Sequence, residues 1–330
     1  MAEDGRLNWG ILGLGVIARH FATALAATPG ARIAAVGSRG QAKADAFAAE
    51  FGVARAHGSY EALAADSEVE AVYIATPHPM HAANALLCLR HGKAVLLEKP
   101  FTLNAPEAEE VVAVAREGRL FLMEAMWTRF FPLMARLRAM VADGAIGDPR
   151  MVVADFGYRA PFDPQRRHLN PELGGGGLLD VGIYPLSFAS MFFGAPEQVT
   201  GVAEIGGTGV DEQAALALRY VGGRVAAITT GVSTATPHEA WLMGTEGRIR
   251  IHPPWFIPRA MTLSRPGCDD ELIEEPFEGN GYQFEAQEVA DCLRTGRLES
   301  EIMPLDESLQ LMRTMDTLRA QWGMRYPGEG

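Results

Sequence analysis

The sequence predicts a parallel, doubly wound α/β domain over residues 1–129, followed by an α+β domain with a large, mostly antiparallel sheet over 130–330. Three observations predict it. In the first part of the chain, short apolar runs alternate with amphipathic helical stretches, the mark of βα units. From Arg150 the rhythm changes to alternating strands joined by glycine turns. The length, 330 residues, exceeds what one core usually organises.

The elements follow in order. Leu7 to Leu12 is an apolar run of strand character that leads into Gly13-Leu14-Gly15-Val16-Ile17-Ala18, a G-x-G-x-x-A turn. A helical pattern follows, with Ile17, Phe21 and Ala24 on one face. Strand, glycine turn and helix in this order is the context of a Rossmann-type dinucleotide fingerprint. Gly13 permits the tight turn, and Gly15 leaves the backbone open to a pyrophosphate. Ala18 lets helix and strand close up, and the first helical turn, with Val16 and Ile17, offers its N–H groups to phosphates. A glycine-rich turn with no ligand fits the same residues, so the next strand decides.

That strand, Arg32 to Val36, ends at Gly37-Ser38-Arg39. A site for NAD places Asp or Glu about 20 residues past the glycines, on the ribose 2′-hydroxyl. No acidic residue stands between Gly13 and Asp45; Ser38, Arg39 and Lys43 occupy the region instead. A hydroxyl, a guanidinium and an ammonium suit a 2′-phosphate, which a carboxylate would repel. NADP is therefore the expected cofactor, with NAD less favoured. A solvated basic loop is the alternative, and the overall net charge of −12 argues against it.

Ala71 to Ala75 is the next strand and ends at Thr76-Pro77-His78-Pro79-Met80-His81, before a helix through Leu89. Lys93 to Leu97 follows and stops at Glu98-Lys99-Pro100. Asn104 then caps a helix with the apolar stripe Ala108, Val111, Val112 and Ala115 and three glutamates near its positive end. Ligands bind such sheets at the carboxyl ends of the strands. One cofactor can thus touch the segments at Gly13, Ser38, Thr76 and Glu98, with Pro77, His78, His81 and Lys99 as further candidate contacts.

In the second half, Leu216, Leu218 and Tyr220 alternate before the Gly222-Gly223 turn, and Val225 to Thr230 runs back. Thr245-Glu246-Gly247 is another turn, followed by Ile249 and Ile251 alternating with Arg248, Arg250 and His252. Helical faces return at Ala286, Val289, Ala290 and Leu293, and at Leu305, Leu309, Met312 and Met315. The near-continuous apolar run Val225 to Ile228 predicts a sheet face that a second copy covers, hence a homodimer or higher homo-oligomer.

Composition excludes several partners. A net charge of −12 repels nucleic acid and anionic membranes. No apolar run is long enough to cross a bilayer, and the first residues, Met1 to Arg6, are polar. Cys88, Cys268 and Cys292 match no metal spacing, so no metal is expected, and buried thiols in a reducing cytoplasm are.

Gly174 to Gly177 precede Leu178-Leu179-Asp180-Val181-Gly182-Ile183-Tyr184. Glycines let the backbone approach another surface closely, and Asp180 and Tyr184, four apart, share one face of a helix. A capping Asp and a core Tyr fit these residues equally well. The G-x-G-x-x-A turn, Thr76-Pro77, Glu98-Lys99-Pro100, the glycine run, D-x-G-x-Y and Gly244-Thr245-Glu246-Gly247 occur in this order over nearly the whole chain. Together they resemble the glucose–fructose oxidoreductase, inositol dehydrogenase and MocA family. Many of its members have His where this chain has Tyr184. Tyr there, with Glu124-Ala125-Met126-Trp127-Thr128-Arg129-Phe130-Phe131-Pro132, is more similar to the branch of dimeric trans-1,2-dihydrobenzene-1,2-diol dehydrogenases and NADP-dependent D-xylose dehydrogenases.

The resemblance implies hydride transfer between NADP and the hydroxyl of a sugar or cyclic diol. It implies Lys99 beside the nicotinamide ribose and the reacting hydroxyl, and Asp180 and Tyr184 completing the site from the second domain. Oxidising an alcohol requires a base for the hydroxyl proton. Tyrosine, with an ordinary pKa of about 10, is a poor base unless a cation stabilises its phenolate. Lys99 supplies that cation, and Asp180 orients the hydroxyl or Lys99. Sequence leaves open whether Tyr184 or Lys99 takes the proton. Trp127, Phe156 and Trp255 are candidate walls for a ring and Arg129 a candidate substrate contact, although core packing explains such aromatics equally. Two other functions share these residues: a catalytically silent nucleotide-sensing regulator, and an NADPH-dependent sugar or carbonyl reductase. The presence of Lys99, Asp180 and Tyr184 favours an enzyme; direction is not encoded.

Overall fold

The computed structural model describes residues 5–329. The chain forms two compact units: residues up to Trp127 together with Glu278–Ser308, and Thr128–Phe277 together with the residues from Leu309 on.

The first unit contains β1 (Leu7–Leu12), α1 (Val16–Ala26), β2 (Ala31–Gly37), α2 (Gln41–Phe51), β3 (Ala56–His57), α3 (Tyr60–Ala64), β4 (Ala71–Ile74), α4 (His81–Arg90), β5 (Ala94–Glu98), α5 (Ala105–Gly118) and β6 (Leu122–Ala125). Its six strands are ordered β3-β2-β1-β4-β5-β6, and all pair in parallel. Every residue of β1 and of β5 is buried, as expected of strands covered on both faces. The chain order reverses between β1 and β4, which opens a crevice at their carboxyl ends. On α5, Asn104 accepts a hydrogen bond from the Glu107 N–H (3.0 Å), and Ala108, Val111, Val112 and Ala115 are all buried.

The second unit begins with α6 (Pro132–Ala142), β7 (Pro149–Gly157) and α7 (Ile183–Phe193). Strands β8 (Pro196–Ile205), β9 (Asp211–Tyr220), β10 (Val225–Gly231), β11 (Ala240–Gly244), β12 (Arg248–Ile251), β13 (Ala260–Ser264) and β14 (Glu271–Glu274) complete its sheet. Their order is β14-β13-β12-β11-β7-β10-β9-β8. Only β7 and β10 pair in parallel; the other neighbours are antiparallel. Leu216, Leu218, Ala226, Ile228, Ile249 and Ile251 face inward and are buried. The run Val225–Ile228 is therefore two-faced: Ala227 points outward while its neighbours Ala226 and Ile228 are buried.

α8 (Tyr282–Arg294) and α9 (Leu305–Gln321) close the chain. The sequence boundary put residues 278–308 in the second domain, but contacts group them with the first unit. Asn280 Nδ2 donates to His20 O (2.8 Å), Leu122 N to Leu298 O (3.1 Å) and Ser308 Oγ to Glu124 Oε2 (2.7 Å). An amphipathic helix reveals its apolar face, not which core that face meets.

Two further expectations need correcting. Pro171–Phe193, 23 residues with an 18-residue window of mean hydropathy 1.3, has the length and composition of a membrane span, and 89% of that window is buried inside the protein. Of the three thiols, Cys88 and Cys292 are buried, and burial pushes each up to about 12; Cys268 is exposed.

Candidate active site

In the first unit the candidate cofactor residues gather at the carboxyl ends of β1, β2, β4 and β5. Gly13 has φ +91°, and a Cβ there would come within 2.8 Å of the Thr76 side chain and 2.9 Å of the Ala75 backbone. It thus holds the β1 and β4 loops together. Gly15 is different: a Cβ there would meet nothing within 4 Å. It stands at the N-cap of α1 with no side chain capping the first turn. Val16 and Ile17 are 68% and 36% exposed. Free N–H groups, an open cradle and exposed apolar side chains at a helix N-terminus fit a dinucleotide that lies over them. Ser38 is buried at the end of β2, whereas Arg39 and Lys43 are exposed. The Tyr60 phenol is pushed up by its burial and drawn back by the Arg39 guanidinium beside it.

At β4, Thr76 Oγ1 accepts from Asn84 Nδ2 (3.1 Å). His78, buried after Pro77, packs edge-on against His81. His81 is fully buried, with Nδ1 2.8 Å from Pro100 O and Nε2 2.9 Å from Thr76 O. Burial pushes its pKa down, so the ring is neutral and donates to one of the two carbonyls. It braces the Thr76 and Pro100 loops and has no edge left for a cofactor, contrary to the sequence expectation.

At β5, Glu98 accepts from the Tyr73 hydroxyl, and its Oε2 accepts from Lys99 N at 3.0 Å. Lys99 is half-buried and precedes a cis Pro100. Glu285, from α8, is fully buried with neither side-chain oxygen hydrogen-bonded. Burial first, then the charge of Glu98, drive its carboxyl well up. Trp127 stacks on Tyr282 with ring centroids 4.7 Å apart.

In the second unit the glycine run shapes the site. Gly176 has φ +114°, and a Cβ there would come 2.3 Å from Asp211 Oδ1. Asp211 Oδ2 accepts from Leu178 N (2.6 Å), at the start of a π-helical turn over Leu178–Gly182 that leads into α7. Such turns recur at functional sites. Asp180 lies in that turn and Tyr184 in the first turn of α7, so neither is a helix cap.

Asp180 is bound on both oxygens. Arg167 Nη1 donates to Oδ1 (2.9 Å) and the Tyr158 hydroxyl to Oδ2 (2.5 Å). Tyr184 belongs to an aromatic wall. Its ring is edge-on to Phe156 at 5.1 Å, Phe156 stacks on Phe256 at 3.9 Å, and His238 packs edge-on against both. Thr128 Oγ1 donates to Phe256 O (2.9 Å) and fixes that ring's backbone.

Two expected substrate contacts belong to the core instead. Arg129 is 3% exposed, and its guanidinium is spent on Ser187, Nε to Oγ at 2.8 Å and Nη2 to the carbonyl at 2.6 Å. Trp255 is fully buried, donates Nε1 to Asp155 O (2.7 Å) and packs on Phe188. Its neighbour Phe256 provides the wall. Sequence reasoning also missed Tyr158, Arg167 and His168; their only signal was polar and aromatic density just before the glycine run.

Comparison with known proteins agrees with this architecture. Residues 7–125 match the oxidoreductase family with an NAD-binding Rossmann fold, and residues 134–250 match the GFO/IDH/MocA C-terminal domain. The chain is 41% identical to trans-1,2-dihydrobenzene-1,2-diol dehydrogenase of Mus musculus, over 97% of this chain and 98% of that one. It is 38% identical to the Homo sapiens protein of the same name, over the same shares. Among solved structures, it superposes on an aldose-aldose oxidoreductase from Caulobacter crescentus complexed with glycerol, with a TM-score of 0.88 and 26% identity, covering 96% of this chain and 98% of that one. A 3-ketoreductase from Actinomadura kijaniata in complex with NADP and TDP-benzene gives a TM-score of 0.85 at 29% identity, covering 96% and 97%. The chain belongs to the GFO/IDH/MocA family of NAD(P)-dependent oxidoreductases.

Proposed function

We propose that this enzyme transfers hydride between NADP and a hydroxyl-bearing carbon of a cyclic diol or sugar. The observation that carries the cofactor choice is the end of β2: Ser38, Arg39 and Lys43 stand where an NAD site keeps a carboxylate. The relative from Actinomadura kijaniata was crystallised with NADP, which supports the same reading. For the substrate, the aromatic wall of Phe156, Phe256 and Tyr184 suits the face of a six-membered ring, and Asp180 and Arg167 offer an acceptor and donors to hydroxyls. The names of the curated relatives point to the same substrate class.

Lys99, Asp180 and Tyr184 carry the proton chemistry in this reading. Tyr184 is the base, Lys99 the cation that favours its phenolate and a contact for the nicotinamide ribose, and Asp180 the acceptor that orients the substrate. When bound, the nicotinamide accepts or gives the hydride. Trp127, stacked on Tyr282, adds an apolar surface in the first unit.

The active form is a homodimer, with the outer face of the eight-stranded sheet covered by a second copy. Met151, Val153 and Val202 on that face are 40%, 38% and 74% exposed, and a depression of about 390 Å³ lies over Val153, Ala215, Ala227 and Trp241. Apolar sheet faces of this kind are normally covered. A reducing, cytoplasmic setting fits the three unpaired thiols.

The direct test is a screen of cyclic vicinal diols, aldoses and inositols with NADP, and of the matching carbonyls with NADPH, read by absorbance of the reduced cofactor. Turnover of a diol or aldose is the expected result. NADP binding with no turnover in either direction would favour the sensor instead.

A further inference from the structure

The hydrogen bonds around Asp180 have a direction that fixes where the protons are. Its side chain is 4% exposed. A carboxylate paired with arginine only accepts hydrogen bonds, and Arg167 occupies Oδ1. The Tyr158 hydroxyl carries one hydrogen, and at 2.5 Å from Oδ2 that hydrogen belongs to Asp180. The same phenolic oxygen lies 2.5 Å from His168 Nδ1. With its hydrogen committed, it meets His168 with lone pairs alone. Nδ1 must therefore carry a proton and donate it, on a ring that is 26% exposed. The result is one directed chain, His168 Nδ1–H to Tyr158 O–H to Asp180 Oδ2. Burial, and then the Asp180 charge, push the Tyr158 phenol far up, so it acts as a neutral donor throughout.

Three separate segments converge here: Tyr158 follows β7, Arg167 and His168 precede the glycine run, and Asp180 lies in the π-helical turn. A buried ion pair is weak support for stability, because desolvation offsets its attraction. Its place beside Tyr184 gives it another use. A donor whose own oxygen accepts a hydrogen bond is polarised and holds its acceptor more firmly.

We propose that Tyr158 and His168 are positioning residues for the hydroxyl chemistry: through this chain, and with Arg167 on the other oxygen, they hold the Asp180 carboxylate in the single orientation that accepts from the substrate. The proposal rests on the dehydrogenase reading above.

Four variants and one spectroscopic measurement test it. Tyr158→Phe keeps the ring and removes only the hydroxyl. It should lower kcat about 10- to 100-fold, the loss expected of one hydrogen bond to a charged group, while Tm and NADP affinity stay close to those of the parent enzyme. His168→Leu should lower kcat severalfold, and His168→Asn, whose side-chain N–H restores a donor, should recover that loss. Tyr158→Phe/His168→Leu should be no slower than Tyr158→Phe, since both residues act through one chain. Nitrogen-15 NMR of the full-length protein should show His168 protonated at Nδ1. An unchanged kcat in Tyr158→Phe, additive losses in the double variant, a His168→Asn no better than His168→Leu, or an Nε2–H tautomer would each overturn the proposal. If the parent enzyme turns over nothing, the functional reading fails by itself, and the tautomer still decides whether the chain exists.

Discussion

Arg39 is the residue at which the cofactor choice is most exposed to test. A charge-assisted hydrogen bond is worth about 1.5–3 kcal/mol, so Arg39→Asp should lower the kcat/KM ratio of NADP over NAD by about 10- to 100-fold. Steady-state kinetics with both cofactors measures it; an unchanged ratio would remove Arg39 from the 2′-phosphate site. At this scale the sequence was legible where chemistry is written locally. Gly13, Gly15, Ser38 and Lys99 follow directly from strand ends, and the structure puts them just past the ends of β1, β2 and β5. It was not legible where residue type says nothing of burial. Arg129 and Trp255 have the chemistry of substrate contacts, yet both are consumed in the core. Tyr158, His168 and Phe256 gain their roles only when β7, the loop before the glycine run and the segment after β12 fold together.

Among the elements, the π-helical turn and its glycines are the most constrained. Gly176→Ala adds a Cβ at positive φ, 2.3 Å from the Asp211 carboxylate. It should destabilise the protein by about 1–3 kcal/mol from backbone strain alone, and more from the clash; a Tm equal to that of the parent would contradict the packing. Asp211 makes a second prediction. Its burial pushes the carboxyl up to about 7, above the value of about 3.9 in an unfolded chain. Between these values the folded state holds the extra proton, so this group's contribution to stability falls as pH rises toward 7, and its penalty is fully present above 7. Asp211→Asn keeps an acceptor for Leu178 N and removes the charge. Its Tm should gain on the parent's as pH rises from about 4 to 7 and level off above; a constant difference across that range would show that Asp211 does not titrate there. Sequence reading found the glycine run but not its reason, because Asp211 is 35 residues further along.

For the whole molecule, both sheets were legible as patterns, with continuous apolar runs in one and alternation in the other. The return of residues 278–308 to the first unit was not, since a helix face does not name its partner. Light scattering at micromolar concentration should give the mass of a dimer. Val153→Glu, which puts a charge on the outer sheet face, should shift it toward monomer while Tm changes little. A monomeric parent would contradict the assembly. The central claim is that Tyr184 takes the substrate proton in an NADP-dependent oxidation. The measurement that tests it most directly is kcat of Tyr184→Phe on the best substrate of the screen, with NADP affinity measured beside it. Loss of a general base typically lowers rates by about 10²- to 10⁴-fold, so kcat should fall into that range while NADP binding stays within about twofold of the parent's. A near-normal kcat would contradict the account, make Tyr184 part of the aromatic wall alone, and leave Lys99 as the base.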